Sequence, residues 1–177
     1  MNAIKTLTIL LSIMMTGQLL YAQTNYNGKV NLNKKENSFN LVSSADSFNV
    51  KIDKKSLTFS NPNDFSFIKK NKSNYNLIKE GESISIKDAR NQIEYSNGLI
   101  LYPVSKKNKQ IILKDKDGKT VLDARFQLKR GISYFNIAIF DNKHKTELLS
   151  YATHYLYFKS KNLKAANDTP YIYFYIF

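Results

Sequence analysis

Along most of the chain, apolar and polar residues alternate with a period of two. Leu122, Ala124, Phe126 and Leu128 fall on one face of an extended segment, and Asp123, Arg125, Gln127 and Lys129 on the other. A strand with one buried face shows this pattern, because successive side chains of an extended backbone point to opposite sides. The alternation predicts strands near 28–33, 38–43, 47–52, 57–60, 65–70, 75–79, 84–87, 92–96, 99–104, 110–114, 120–129 and 133–140. Between them stand KKEN, SSAD, DKK, NPND, KNKSN, EGE, DARN, SNG, KKNK, DKDG and RG, clusters rich in turn-forming residues. Short strands with short turns make the expected fold mostly β, a single-domain antiparallel meander of about twelve strands. Closing it into a barrel would hide the open edges that invite aggregation.

One turn raises a chemical question. The D-K-D-G of residues 115–118 resembles part of a calcium loop, which needs ligands at its first and twelfth positions. With Gly118 sixth, those positions fall on Leu113 and Ala124, and neither can ligate calcium. A hairpin tip is the expected reading, with Gly118 supplying a positive φ. The strand starts at Val30, Leu57, Ile84, Ile111 and Ile137 are also separated by 27, 27, 27 and 26 residues, which suggests an internal repeat.

The pattern changes at 145–163. Leu148, Leu149, Ala152, Tyr155, Leu156 and Leu163 follow helical spacing, Thr146 could cap the N-terminus, and lysines gather toward the end. An aromatic strand through Tyr151 to Phe158 is the competing reading. The periodicity favours one late C-terminal helix overlapping 147–159. The last residues, PYIYFYIF, are apolar on both faces and are expected to form a buried strand.

Twelve meandering strands, D-x-x-G-type tips and a late apolar helix resemble the tubby-like barrel of tubby C-terminal domains, LURP-one-related proteins and phospholipid scramblases. The resemblance spans Val30 to about Leu163. It implies strands wrapped round a central helix and a module that binds anionic lipid headgroups or one of unknown role. It supplies no catalytic residues. The leader and the strand after the helix depart from that family.

Composition adds an address. Residues 1–22 carry one charge, Lys5, before an apolar run that ends near Ala22, the form of a secretory signal peptide. That run is short for a membrane span, so no transmembrane helix is expected in the mature chain. Residues 23–177 are then a single β-rich domain, exported to the periplasm or beyond. The chain has no cysteine, which excludes disulfides, zinc-thiolate sites, a thiol nucleophile and a lipoprotein anchor. Net charge is +13, yet only Arg90, Arg125 and Arg130 among the 27 basic residues are arginine, the better residue for bidentate phosphate contacts. An A/T-rich codon bias toward Lys, Asn, Ile, Tyr and Phe would produce much of the same charge.

Catalytic signatures are missing. His144 and His154 are ten apart, and a two-His metal site would also need a carboxylate such as Asp141 or Glu147. The simpler expectation is His144 in a solvated turn and His154 on a helix flank. No G-x-S-x-G elbow and no phosphate-cradling glycine loop occur, and Glu80 and Glu82 merely flank Gly81 in a turn. No catalytic residue, metal or cofactor is expected. The aromatics read as core, so nucleic acid is not the expected partner.

Turn order carries the one positive expectation. If twelve strands go up and down, alternate turns share an end. One end then collects Lys34, Lys35, Lys54, Lys55, Lys72, Arg90, Lys106, Lys107, Lys109 and Arg130. The other collects Asp46, Asp64, Glu80, Glu82, Asp115 and Asp117. A basic end of that size attracts anionic glycan or lipid headgroups. Non-catalytic binding of such an envelope component is the favoured expectation. A small outer-membrane β-barrel and a basic secreted hydrolase are the alternatives.

Overall fold

The alternating segments form twelve strands in chain order: β1 (Thr24–Asn31), β2 (Ser38–Val42), β3 (Ser47–Ile52), β4 (Ser56–Ser60), β5 (Phe65–Lys69), β6 (Asn74–Lys79), β7 (Glu82–Asp88), β8 (Ile93–Tyr95), β9 (Ile100–Lys107), β10 (Gln110–Lys114), β11 (Thr120–Lys129) and β12 (Ile132–Ile139). The computed structural model describes residues 23–168 apart from Lys35, Pro62 and Asn108, with the backbone alone for Asn167 and Asp168. The expected signal peptide 1–22, Lys35 and the expected final strand 170–177 therefore lie outside the described residues.

Every strand pairs antiparallel with the next, and β12 pairs with β1, so the sheet closes into a barrel. The β1–β2 pairing is short, Asn27↔Val42 and Gly28↔Leu41. A Cβ on Gly28 would stand 2.7 Å from Leu41 Cδ2 and 2.8 Å from the Asn40 carbonyl oxygen. Glycine is what lets the two strands meet there. The D-K-D-G segment is a hairpin tip: Gly118 has φ +77°, and Asp115 Oδ1 accepts from the Asp117 and Lys119 amides at 3.0 and 2.9 Å. Asp115 is thus engaged by its own turn and only partly exposed.

The 27-residue spacing has a plain geometric origin. Successive starts lie on β1, β4, β7 and β10, three strands apart, so neighbouring copies run in opposite directions. The last interval, β10 to β12, spans only two strands because β11 and β12 are long. Uniform strand-plus-turn length produces the period, and no unit repeats in space.

Inward positions are apolar: Phe39, Leu41, Phe48, Val50, Leu57, Phe59, Phe67, Leu77, Leu113 and Phe126 are buried. Outward positions are largely polar and pair across strands, as in Asn40 with Asn49 at 2.9 Å and Asn27 with Asn136 at 3.1 Å. Ile100, Tyr102 and Val104 of β9 are exposed apolar exceptions.

After β12 a 3-10 turn (Asn142–His144) leads into helix α1 (Lys145–Asp168). Every residue from Leu148 to His154 is buried, nearly two full turns. A helix buried on all sides has no solvent to face, and α1 lies in the lumen. Tyr157 stacks on Phe39 of β2 at 6.4 Å, Tyr151 meets Phe67 of β5 at 6.3 Å, and the Tyr155 hydroxyl donates to the Lys107 carbonyl of β9 at 3.0 Å. Eight strands make a barrel that side chains can fill, whereas twelve enclose more space. A helix about 10 Å across takes it up. The buried hydroxyls of Ser150, Thr153 and Ser160 donate to helix carbonyls three or four residues back, at 3.1, 2.7 and 2.9 Å, so they enter the lumen satisfied.

The late helix is present, but three details differ from expectation. The apolar stripe is not a single face, because the lumen surrounds the helix. Thr146 is not the cap; Asp141 caps the preceding 3-10 turn, accepting from the Lys143 amide at 3.0 Å. His154 is not on a flank but in the core, 5% exposed. Among the described residues no helix is long and apolar enough to cross a membrane.

Candidate anion-binding end

Because α1 follows β12, it enters the barrel at the end that holds the β2–β3, β4–β5, β6–β7, β8–β9 and β10–β11 turns. It leaves at the end that holds the other six. These are the entry end and the exit end.

The exit end gathers the basic residues singled out above. Lys34 lies in the β1–β2 turn, Lys54 and Lys55 in β3–β4, Lys72 in β5–β6, Arg90 in β7–β8, Lys109 in β9–β10 and Arg130 in β11–β12. Small polar neighbours do the turning. Asp53 Oδ1 accepts from the Lys54 amide at 2.7 Å, and Asn71 Oδ1 accepts from the Ser73 and Asn74 amides at 3.1 and 3.0 Å. The lysine side chains are thereby left exposed. Among the described residues no ion pair engages Lys34, Lys54, Lys55, Lys72, Arg90, Lys107, Lys109 or Arg130.

Lys106 and Lys107 are the last residues of β9 rather than part of a turn, and they diverge. Lys107 is exposed, whereas Lys106 points inward, its Nζ 2.6 Å from Asp88 Oδ1. The Tyr151 hydroxyl donates to the other Asp88 oxygen at 2.7 Å. Burial, with the Asp88 charge adding to it, pushes the Tyr151 phenol well above its ordinary range. Lys106 therefore belongs to a bridge from the wall to the helix, not to the exposed basic surface. Deeper in the lumen, His154 is enclosed by Phe67, Tyr75 and Phe158, with ring centroids 5.1, 5.1 and 4.5 Å away. Burial, reinforced by the nearby Lys69 charge, lowers its pKa to about 3, and its Nε2 has no hydrogen-bond partner among the described residues.

Two hollows flank the helix where it leaves. One of about 500 Å³ is lined by Val30, Leu32, Lys34, Glu36, Ile52, Asp53, Lys54, Tyr157, Lys161 and Lys164, among others. The other, about 550 Å³, is lined by Asn33, Lys109, Leu128, Arg130, Gly131, Leu163 and Lys164. Lys161 and Lys164 were missed as site residues. The lysines late in the helix were visible, and the strand count gave the exit end. What was lacking was the knowledge that the helix runs through the barrel to reach it.

The entry end is mixed. It holds Asp46, Asp64, Glu80, Glu82, Asp115 and Asp117, but the β10–β11 turn also holds Lys116 and Lys119, and strand ends and the link to α1 add Lys79, Lys114, Lys143 and Lys145. Lys145 Nζ lies 2.7 Å from Asp46 Oδ2. Burial acts to raise the Asp46 carboxyl, but hydrogen bonds from Lys145 and Ser43, with the Tyr26 hydroxyl nearby, outweigh it and hold the pKa below its ordinary value. Asn97 reaches Glu147 at 3.0 Å, and His144 pairs with Asp141 at 2.7 Å. The two histidines are well separated, one at this end and one in the lumen. Among the described residues no three His, Asp or Glu side chains gather to hold a metal ion.

No known protein-family model, no curated protein and no solved structure matches this chain.

Proposed function

We propose that the protein is an exported, non-catalytic barrel domain that binds an anionic envelope component, lipid headgroup or acidic glycan, through its exit end. The observation that carries this reading is the sorting of charge by end. A biased composition supplies many lysines, but it gives no reason for most of the exposed turn lysines to gather on one set of alternate turns while most of the turn carboxylates gather on the other. Clustered cations that outnumber the carboxylates beside them and are not ion-paired raise the local concentration of anions, with an attraction that salt screens. Kinship with the tubby-like barrels belongs to the same proposal and rests on the shared plan of strands around a helix. The outer-membrane alternative is disfavoured by the wall, since a membrane barrel needs an apolar outer band and the outer face here carries ladders of Asn, Ser and Thr.

The test is co-sedimentation with vesicles containing an anionic lipid, and with an acidic polysaccharide, at low and physiological salt. Binding to at least one, falling steeply as salt rises, is expected. Absence of binding to both, or binding indifferent to salt, would overturn the proposal.

A further inference from the structure

We infer that the 500 Å³ cleft beside the last turns of α1 is a discrete site for a phosphate-bearing amphiphile, a refinement that rests on the anion-binding reading above. A field of lysines holds any polyanion and needs no shape. This cleft has shape and two chemistries. Its floor is apolar, from Val30, Leu32, Ile52 and Tyr157, and its rim carries Lys34, Lys54 and Lys161. Val30 and Tyr157 are buried, Leu32 and Ile52 partly so, and the three lysines are exposed. A glycan or an inorganic anion would leave that floor wetted. A headgroup phosphate on the lysines, with the adjoining glycerol and first methylenes on the floor, covers both.

The two carboxylates at the rim are outnumbered by its lysines, Lys34, Lys54, Lys161 and Lys164, and each is turned to a backbone amide. Glu36 Oε2 accepts from the Asn31 amide at 3.0 Å, and Asp53 Oδ1 accepts from the Lys54 amide at 2.7 Å, so each serves the backbone of its own turn. The volume suits a headgroup and the start of its chains, within the ordinary range of roughly 300–1,000 Å³ for ligand sites, and leaves the remaining methylenes in the bilayer.

The probe is dihexanoyl phosphatidic acid, kept monomeric, titrated into the full chain by calorimetry beside inorganic phosphate and dextran sulfate. The short lipid should bind at least about tenfold tighter than inorganic phosphate. Lys161→Glu and Ile52→Asn should each weaken the lipid by about tenfold, while Lys72→Glu and Arg90→Glu, on the β5–β6 and β7–β8 turns outside the cleft lining, change it less than about threefold. Dextran sulfate should lose similar affinity with any of the three charge reversals. Leu32→Asn, at a partly exposed turn position, replaces Ile52→Asn if that variant does not fold. A lipid that binds no tighter than phosphate, or that loses as much with Lys72→Glu as with Lys161→Glu, overturns the amphiphile site and leaves the basic-end reading standing. If neither lipid nor dextran sulfate binds, both fall.

Discussion

The two ends of the barrel use lysine in opposite ways. At the entry end Lys145 is held by Asp46 and Glu147 engages Asn97, so charge there ties the helix to the wall, while Asp141 pairs with His144 within the link. At the exit end the exposed turn lysines have no ion-pair partner among the described residues, and the pair of Lys106 with Asp88 faces inward. An unpaired surface charge adds little to stability, and each such lysine weakens its neighbours by repulsion. The entry end is built to hold the helix, and the exit end is left open to a counter-charge.

The largest expected effect concerns the buried ring toward the exit half. His154 has a folded pKa of about 3 against 6.5 for an unperturbed histidine. The unfolded chain thus binds the proton first, and stability falls as pH drops through 6.5 toward 3. At the entry end the depressed Asp46 keeps its contribution down to its unfolded value near 3.8 and loses it only below that. Between those limits the loss therefore comes from the histidine. Over that interval the native protein should lose about 3 kcal/mol more than His154→Leu in urea unfolding. Parallel pH profiles would show that the ring is not held neutral.

Next comes charge reversal. Lys54→Glu, Lys55→Glu, Lys107→Glu and Lys109→Glu together should weaken binding to anionic vesicles by about 100-fold at low salt, less than four times the ~1 kcal/mol of a lysine held at the membrane surface, because lysines spread round one end do not all reach that surface at once. Reversing Lys79, Lys114 and Lys143 at the entry end should change it by less than about threefold. Equal losses from the two sets would erase the distinction between the ends. Asp46→Ala should then cost about 2 kcal/mol, because it strips a partly buried Lys145 of its partner. That deficit should begin to shrink only as pH falls below about 3.8, toward the lowered folded value at which Asp46 itself takes the proton, and a deficit unchanged at the acid limit would point to packing rather than charge. Smallest of all, Lys72→Glu alone should weaken vesicle binding only about twofold, as one member of a spread field.

How far the sequence reached differs between wall and lumen. Period-two alternation and the turn clusters located all twelve strands, because each signal is local and needs only a few neighbouring residues. Lys106 shows where local reasoning stopped. Alternation from buried Leu101 would turn Ser105 and Lys107 inward. The register instead shifts opposite Ile112 and Leu113, pairing Ser105 with Ile112 and Pro103 with Leu113. The bulge leaves Val104 as the extra residue and re-aims Lys106 toward Asp88, and only the cross-strand pairing reveals it. His154 escaped for a related reason, since a helix wheel assumes a solvent side that the lumen removes.

By itself the sequence determined the strands, their turns, their order and hence which lysines share an end, since an up-and-down path fixes turn parity without any distance measurement. Tertiary structure alone decided that the helix runs inside the barrel, that Lys161 and Lys164 emerge among the turn lysines, and that Lys106 turns away from them. Those outcomes depend on how twelve strands close and what space they enclose, and closure brings together residues that no short stretch of chain relates.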